Sequence, residues 1–480
     1  MSSAPLFSNR FFYAYLAILI WTPLPYASVH GWSSNLMSLL IMSLAAVMVL
    51  SLLLGNRDFI RPLKRHWFPV AVFFLVPLWI TVQTIPMSPE FVTSLSPVGA
   101  EIQRVAGLEQ FTISLEPNAT RREALLSWSL WLFFVMTLLL VDSGKRARAL
   151  ITTVVFCGVF QALYGSFVVF TGIDYVFFSG HANNGGGATG TFSVRNHFAG
   201  YLEMCLGLGI GLLVGTLNTG QGARTWREFF VDSIDTVLGP KMRLRIFLAI
   251  MVIALVLSRS RMGNAAFFMS LPLCGVLFMV LQRKLHKGVI ILFASLILVD
   301  VLIVSQWFGL EQVAERMQST STQTEIRDEI IRDTLTMLPD YQLFGSGAGT
   351  FMVTFQRYDD VRAPLMVDFA HNDFLEFLVE FGWIGYLPLA ILVLYSLFMA
   401  GRAMAKRKTQ LYRGIGFGAM MGAVSILIHS FVDFNLQMPA NALLFVLLLA
   451  LAQLAMALER GQGSRRSRRS RVRSDNALVS

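Results

Sequence analysis

Apolar residues run in long stretches along this chain and do not alternate. Apolar stretches of about 17–25 residues recur throughout, the length a helix needs to cross about 30 Å of hydrocarbon. The pattern predicts about twelve membrane helices, at 11–29, 34–54, 67–85, 123–141, 149–170, 197–217, 244–258, 265–281, 288–304, 383–400, 414–431 and 439–457. The stretch at 244–258 is short; it either extends into its flanks or stops where a polar cavity begins. The segments between spans alternate in kind. One set is rich in Lys and Arg, and the other is long, with turn residues and no lysine.

Composition sharpens this picture. Of 480 residues, 55% are hydrophobic and 14% charged, against roughly 25% charged in a soluble domain. A soluble enzyme, a disordered chain and a disulfide scaffold are poor readings of such a sequence. Cys157, Cys205 and Cys274 lie inside apolar runs without a CxxC pair and read as small buried hydrophobes. The stretch at 11–29 lacks a convincing cleavage site and reads as the first membrane helix, not a signal peptide. The net charge of +10 is concentrated in the alternate connections, such as Arg57–Arg65, Lys145–Arg148, Arg402–Arg413 and the seven arginines from Arg460 to Arg473. The positive-inside rule places these in the cytoplasm of an inner membrane, together with both termini, which requires an even number of spans. The expected organisation is one all-α polytopic membrane domain over 1–460, followed by a basic disordered tail over 461–480. That tail suits membrane lipids, not nucleic acid.

Three of the segments that then face outward are long: 86–122, 171–196 and a large loop over 305–381 that includes an amphipathic helix over about 311–338. Eleven basic residues fall on this side and all are arginine, whose rigid charged fork suits phosphate oxygens. Arg327 and Arg332 read first as partners of Glu325, Asp328, Glu329 and Asp333 on an exposed helix. Arg195, Arg259 and Arg261 sit at the ends of apolar spans with few carboxylates nearby, where a charge should face protein or a watery cavity. They are candidates for binding phosphate, with snorkelling to headgroups as the alternative.

Among the histidines, His371 stands out. It ends the largest outer loop in DFAHNDFLEFLVEFGWIGYLPLA, where an apolar helix re-enters the membrane. It reads either as a general base for a sugar hydroxyl or as an interfacial histidine beside a capping Asn372 or Asp373. Glu376 and Glu380 share one face of a helix begun there, and Asn372 and Glu376 join the candidate substrate contacts. His429 and Asp433 belong to a polar patch, HSFVDFNLQMPAN, that needs satisfied partners or a ligand. Asn196 and His197 open span six beside Arg195. The sequence has no metal-binding motif such as HExxH and no dense Asp cluster. LFGSGAGTF at 343–351 reads as a tight turn that lets the outer loop approach the membrane mouth.

Together, ATGTFSVRNHFAGYLEM (188–204), LSRSRMG (257–263), LFGSGAGTF, HNDFLEFLVEFGWIGYLPLA (371–390) and HSFVDFNLQMPAN (429–441) resemble, in order, the O-antigen ligase and Wzy-type polymerase superfamily. The resemblance implies a bundle of about twelve spans similar to GT-C glycosyltransferases, capped by a large helical periplasmic loop. It implies an inverting, metal-independent glycosyltransferase without a cofactor. Such an enzyme takes a glycan from undecaprenyl diphosphate to a glycan or lipid A–core hydroxyl on the periplasmic side. It maps the family's base onto His371, and its diphosphate-binding arginines onto Arg195 and onto Arg259 or Arg261. The family more often shows one arginine in the LSRSRMG region, so the second leaves that counterpart open. Two alternatives stand beside a ligase. One is a polymerase joining lipid-linked repeats of an O-antigen or exopolysaccharide. The other, of a different class, is a multi-span transporter, which the absence of an internal repeat disfavours. Oligomeric state is not legible.

Overall fold

The computed structural model describes residues 7–55, 60–172, 186–216, 240–283, 321–358 and 367–458. The expected span at 288–304, residues 305–320 of the large loop, residues 173–185 of the glycine-rich segment, Arg57, Arg316, Arg362 and the tail over 461–480 lie outside them.

Within the described residues the chain is helical. In order run α1 (Asn9–Trp21), α2 (Gly31–Leu54), α3 (Ile60–Arg65), α4 (Trp67–Val82), α5 (Pro89–Leu95), α6 (Pro97–Val105), α7 (Pro117–Leu140) and α8 (Gly144–Thr171). Then follow α9 (Arg195–Val214), α10 (Pro240–Leu257), α11 (Arg261–Gln282), α12 (Ser321–Tyr341), α13 (Phe351–Phe355), α14 (Asp373–Lys406), α15 (Gln410–His429) and α16 (Pro439–Ala457). Eight of them, α2, α7, α8, α9, α11, α14, α15 and α16, are long and apolar enough to cross a membrane. Three further expected spans are helices that fall short of that measure. α1 stops at Trp21, just before Pro23 and Pro25, because proline cannot continue the hydrogen-bond ladder. α4 has 16 residues, and α10 carries Lys241, Arg243 and Arg245 in its first turns. The chain is thus an all-α polytopic membrane protein with large helical connections.

α9 sits at the centre: every residue from His197 to Val214 is buried. It packs closely on α15 because both helices carry glycines at the contact. A Cβ on Gly207 would lie 2.6 Å from the Gly422 nitrogen, and one on Gly211 would lie 2.4 Å from the Gly414 oxygen. Small residues let helix backbones approach where lipid supplies no hydrophobic drive for association. The first residues of α9 therefore lie beside the last turn of α15.

The outer segments fold back onto the bundle. α12 turns Ile330, Met337 and Tyr341 into a small core with Phe351, Phe355, Ala370 and Val379. The 343–351 turn has positive φ at Gly345, Gly347 and Gly349, and it clamps α14 where that helix kinks at Gly382 (φ 60°, ψ 178°). Ser346 N donates to Val379 O and Gly347 N to Glu380 O, while Trp383 N donates to Gln342 O. The Gln83 side chain ties this clamp to α4 by donating to Phe344 O and Glu380 O. The broken helix thereby keeps its backbone groups satisfied, as a membrane environment requires.

Candidate functional site

The site grows from the α9–α15 contact. Glu203 is an acidic residue inside an otherwise apolar helix, and its carboxylate is held on both oxygens. His429 Nδ1 lies 2.8 Å from Oε1, and Ser425 Oγ donates to Oε2 at 2.7 Å. One turn beyond His429, Asp433 Oδ2 lies 4.0 Å from His429 Nε2. Asn196 Nδ2 donates to Asp433 Oδ2 at 2.5 Å, and His197 Nε2 lies 3.7 Å from Oδ1. A line of buried polar groups thus runs Ser425, Glu203, His429, Asp433, His197. Such groups are costly inside a membrane bundle and mark function by default.

Phe434 joins this line to His371. Its ring lies 4.7 Å from that of His197 and 5.0 Å from that of His371, both edge-on, and it stacks on Phe369 at 4.2 Å. Both expected histidines therefore border one aromatic shelf. Among the described residues, both ring nitrogens of His197, His371 Nδ1 and His429 Nε2 are buried without a hydrogen-bond partner. Buried polar atoms are rarely left so, and a ligand or water with several polar groups would satisfy them.

His371 is held in a left-handed backbone conformation, φ 52°, which costs a non-glycine residue about 1–2 kcal/mol. Its neighbours enforce this. Asn372 is the cap of α14: its Oδ1 accepts from Phe374 N and Leu375 N, while its Nδ2 donates to Phe431 O. Glu376 Oε2 accepts from Ala370 N at 2.8 Å. Asp373 N donates to Ser430 O, and Asp373 Oδ2 accepts from Ser430 Oγ and Leu436 N. The capping reading of Asn372 and the distinctive position of His371 thus coexist. Glu376 holds the loop backbone from within a buried site.

The three arginines expected to bind phosphate start or precede helices. Arg195 opens α9 and Arg261 opens α11, and both are exposed. Arg259 precedes α11 in a left-handed conformation, φ 55°. Residues 186–190 dock against the end of α10, with Ala188 N donating to Leu257 O. This brings the described end of the glycine-rich segment to Ser258 and Arg259. The first turn of α11 packs on α9, where a Cβ on Gly263 would meet Ala199 at 2.6 Å and Glu203 Oε1 at 3.1 Å. Arg195 precedes Asn196 and His197 at the start of α9, and Arg259 and Arg261 flank the turn that packs on α9.

α12 packs its apolar face, as its amphipathic pattern predicts, and Arg327 is half-buried rather than fully exposed. Its charge acts on both His371 and Asp433. Arg332, by contrast, is exposed. Burial, and then the charge of Arg327, pull the His371 imidazole down to about 4, so it is neutral at neutral pH. Burial pushes the Asp433 carboxyl up, but His197, His429 and Arg327 outweigh it and hold the group well below the usual carboxylate range. A neutral imidazole, a firm carboxylate and a guanidinium therefore share one end of the bundle, an arrangement able to take up a proton and stabilise an anion.

Sequence reading missed Glu203 and Phe434, and it read Arg327 first as a surface ion-pair partner. Glu203 carried a signal, a lone acid within an apolar span. Phe434 carried none, and the placement of Arg327 depends on which element packs over which.

No curated protein matches the chain. Residues 246–390 match the family described as O-antigen ligase, a segment that includes Arg259, Arg261, Arg327 and His371. The motifs at 188–204 and 429–441 lie outside the match, although the fold brings both to the same site. The resemblance read from the sequence is thereby borne out across residues 246–390, which match that family.

Proposed function

We propose that this chain is a membrane glycosyltransferase of the O-antigen ligase type. It moves a glycan from undecaprenyl diphosphate to a hydroxyl acceptor on the periplasmic side, without a metal. The observation that carries this reading is the neutral, strained His371 beside the His197–Asp433 pair, with Arg327 acting on both. His371 accepts the acceptor's hydroxyl proton as that oxygen attacks the anomeric carbon. The bond from this carbon to the diphosphate oxygen breaks, and the electron pair leaves with the lipid diphosphate. One displacement inverts the anomeric centre. Arg195, Arg327 and one of Arg259 and Arg261 stabilise the charge growing on the leaving group. Asn196, Asn372, Glu376, His429 and Asp433 position the base and the sugar.

The test is transfer by the purified chain in lipid, supplied with an undecaprenyl diphosphate glycan and candidate acceptors. His371→Ala at normal membrane levels is expected to abolish transfer. Arg195→Lys is expected to impair it about tenfold or more, because the charge remains but the fork is lost. A chelator should leave the rate unchanged. Wild-type turnover by His371→Ala would remove the base assignment.

A further inference from the structure

A cavity of about 440 Å³ lies between α4, α7, α14, α15 and α16, within the part of the bundle that crosses the membrane. Its size is that of a small-ligand pocket. The walls are apolar, with Leu126, Phe377 and Phe445 among them, and they extend along α14 from Tyr386 to Leu397, about 16 Å of helix. Leu394 both lines the cavity and is 66% exposed on the outer face of the bundle, so the cavity meets the surface where lipid would lie. The wall also holds three carboxyl groups, Glu123, Asp373 and Glu380. Glu380 is already engaged, accepting from Phe351 N. Asp373 is 1% exposed, and its Oδ1 has no hydrogen-bond partner among the described residues.

We propose that this cavity seats the apolar chain of a lipid whose head end is a hydroxyl. An alkyl chain fills the apolar walls, and a hydroxyl supplies the donor that Asp373 Oδ1 lacks. A phosphate at that position would bury its charge with no Lys, Arg or His among the lining residues to pair it. Asp373 lies two residues past His371, so a chain seated here brings its hydroxyl end toward the candidate base. The occupant is then the lipid part of the acceptor, an assignment that rests on the transfer reading, whereas occupancy of the cavity does not. The donor's diphosphate is left to the arginines.

The experiment uses the full chain in lipid nanodiscs and two photoreactive probes, a long-chain alcohol and the alkyl phosphate of the same chain, each with a diazirine near the chain end. The alcohol should label peptides containing 126–130 or 386–397 at least fivefold more than the phosphate does. Ala390→Phe and the milder Ala442→Leu, which narrow the cavity, should each reduce that labelling. Equal labelling by the two probes, or labelling unaffected by both substitutions in correctly folded protein, would overturn the proposal. Transfer is measured on the same samples. Labelling as expected with unimpaired transfer in the narrowed variants overturns the acceptor assignment. Loss of transfer in proportion to labelling supports it. If the wild-type chain labels but never transfers a glycan, the transfer reading fails while the lipid seat stands.

Discussion

The left-handed conformation of His371 makes a signed prediction about stability that is separate from catalysis. A non-glycine residue at φ 52° costs about 1–2 kcal/mol. The edge-on contact of its ring with Phe434, 5.0 Å between centroids, returns about 0.5–1.5 kcal/mol. His371→Ala keeps the backbone cost and loses the contact, so it should destabilise by about 1 kcal/mol. His371→Gly loses the contact but also sheds the backbone cost, and glycine's larger unfolded-state entropy takes back about 0.4–1 kcal/mol. The glycine variant should therefore be more stable than the alanine variant by about 1 kcal/mol, the reverse of the order inside a helix, where glycine is worse by about that much. Both variants should be inactive, because both lack the imidazole. The assay is paired, with thermal unfolding of the purified variants in one detergent and glycan transfer in lipid. A melting temperature about 2 °C higher for glycine than for alanine is the expected sign and scale. An alanine variant as stable as the glycine one would refute the strain argument. Transfer by either variant would refute the assignment of the base.

Four further outcomes follow from the geometry. His371 must be neutral to accept a proton, and its titration is displaced down to about 4, so activity should hold through pH 5–6 and fall only near pH 4, not near the ordinary 6.5. Because the charge of Arg327 contributes to that displacement, Arg327→Gln should move the acid limb of the rate profile upward; an unmoved limb would dissociate the two residues. Asp433 acts on His371 in the opposite sense, so Asp433→Asn should move the limb downward as well as slow transfer. Gly345→Ala places a Cβ 2.1 Å from Glu380 O in a left-handed residue. It should open the clamp on α14 and cost more than about 1–3 kcal/mol, measurable as lost thermal stability and increased proteolysis near residue 343.

Much of the fold is legible because the bilayer constrains the chain so tightly. Apolar runs and their charged flanks disclose the spans near 34–54, 123–141, 149–170, 197–217, 265–281, 383–400, 414–431 and 439–457, and helices occupy all of them. Composition ruled out a soluble protein, and the tight turn at 343–351 follows from its glycines. The order of the motifs pointed to the O-antigen ligase superfamily. His371, His197 and Asp433 were visible as polar residues at the ends of apolar runs, a local property. What tertiary structure alone decided is which of these ends meet. Glycines on α9 and α15 bring Glu203 to His429 across more than two hundred residues. Packing of α12 on α14 turns Arg327 from a surface charge into a neighbour of the site. The left-handed backbone of His371 likewise comes from the capping of α14 and the hold of Glu376 on Ala370. Hydropathy is written residue by residue, so a sequence carries it openly. Electrostatic coupling and strain depend on distances between elements, and those exist only once the helices have packed.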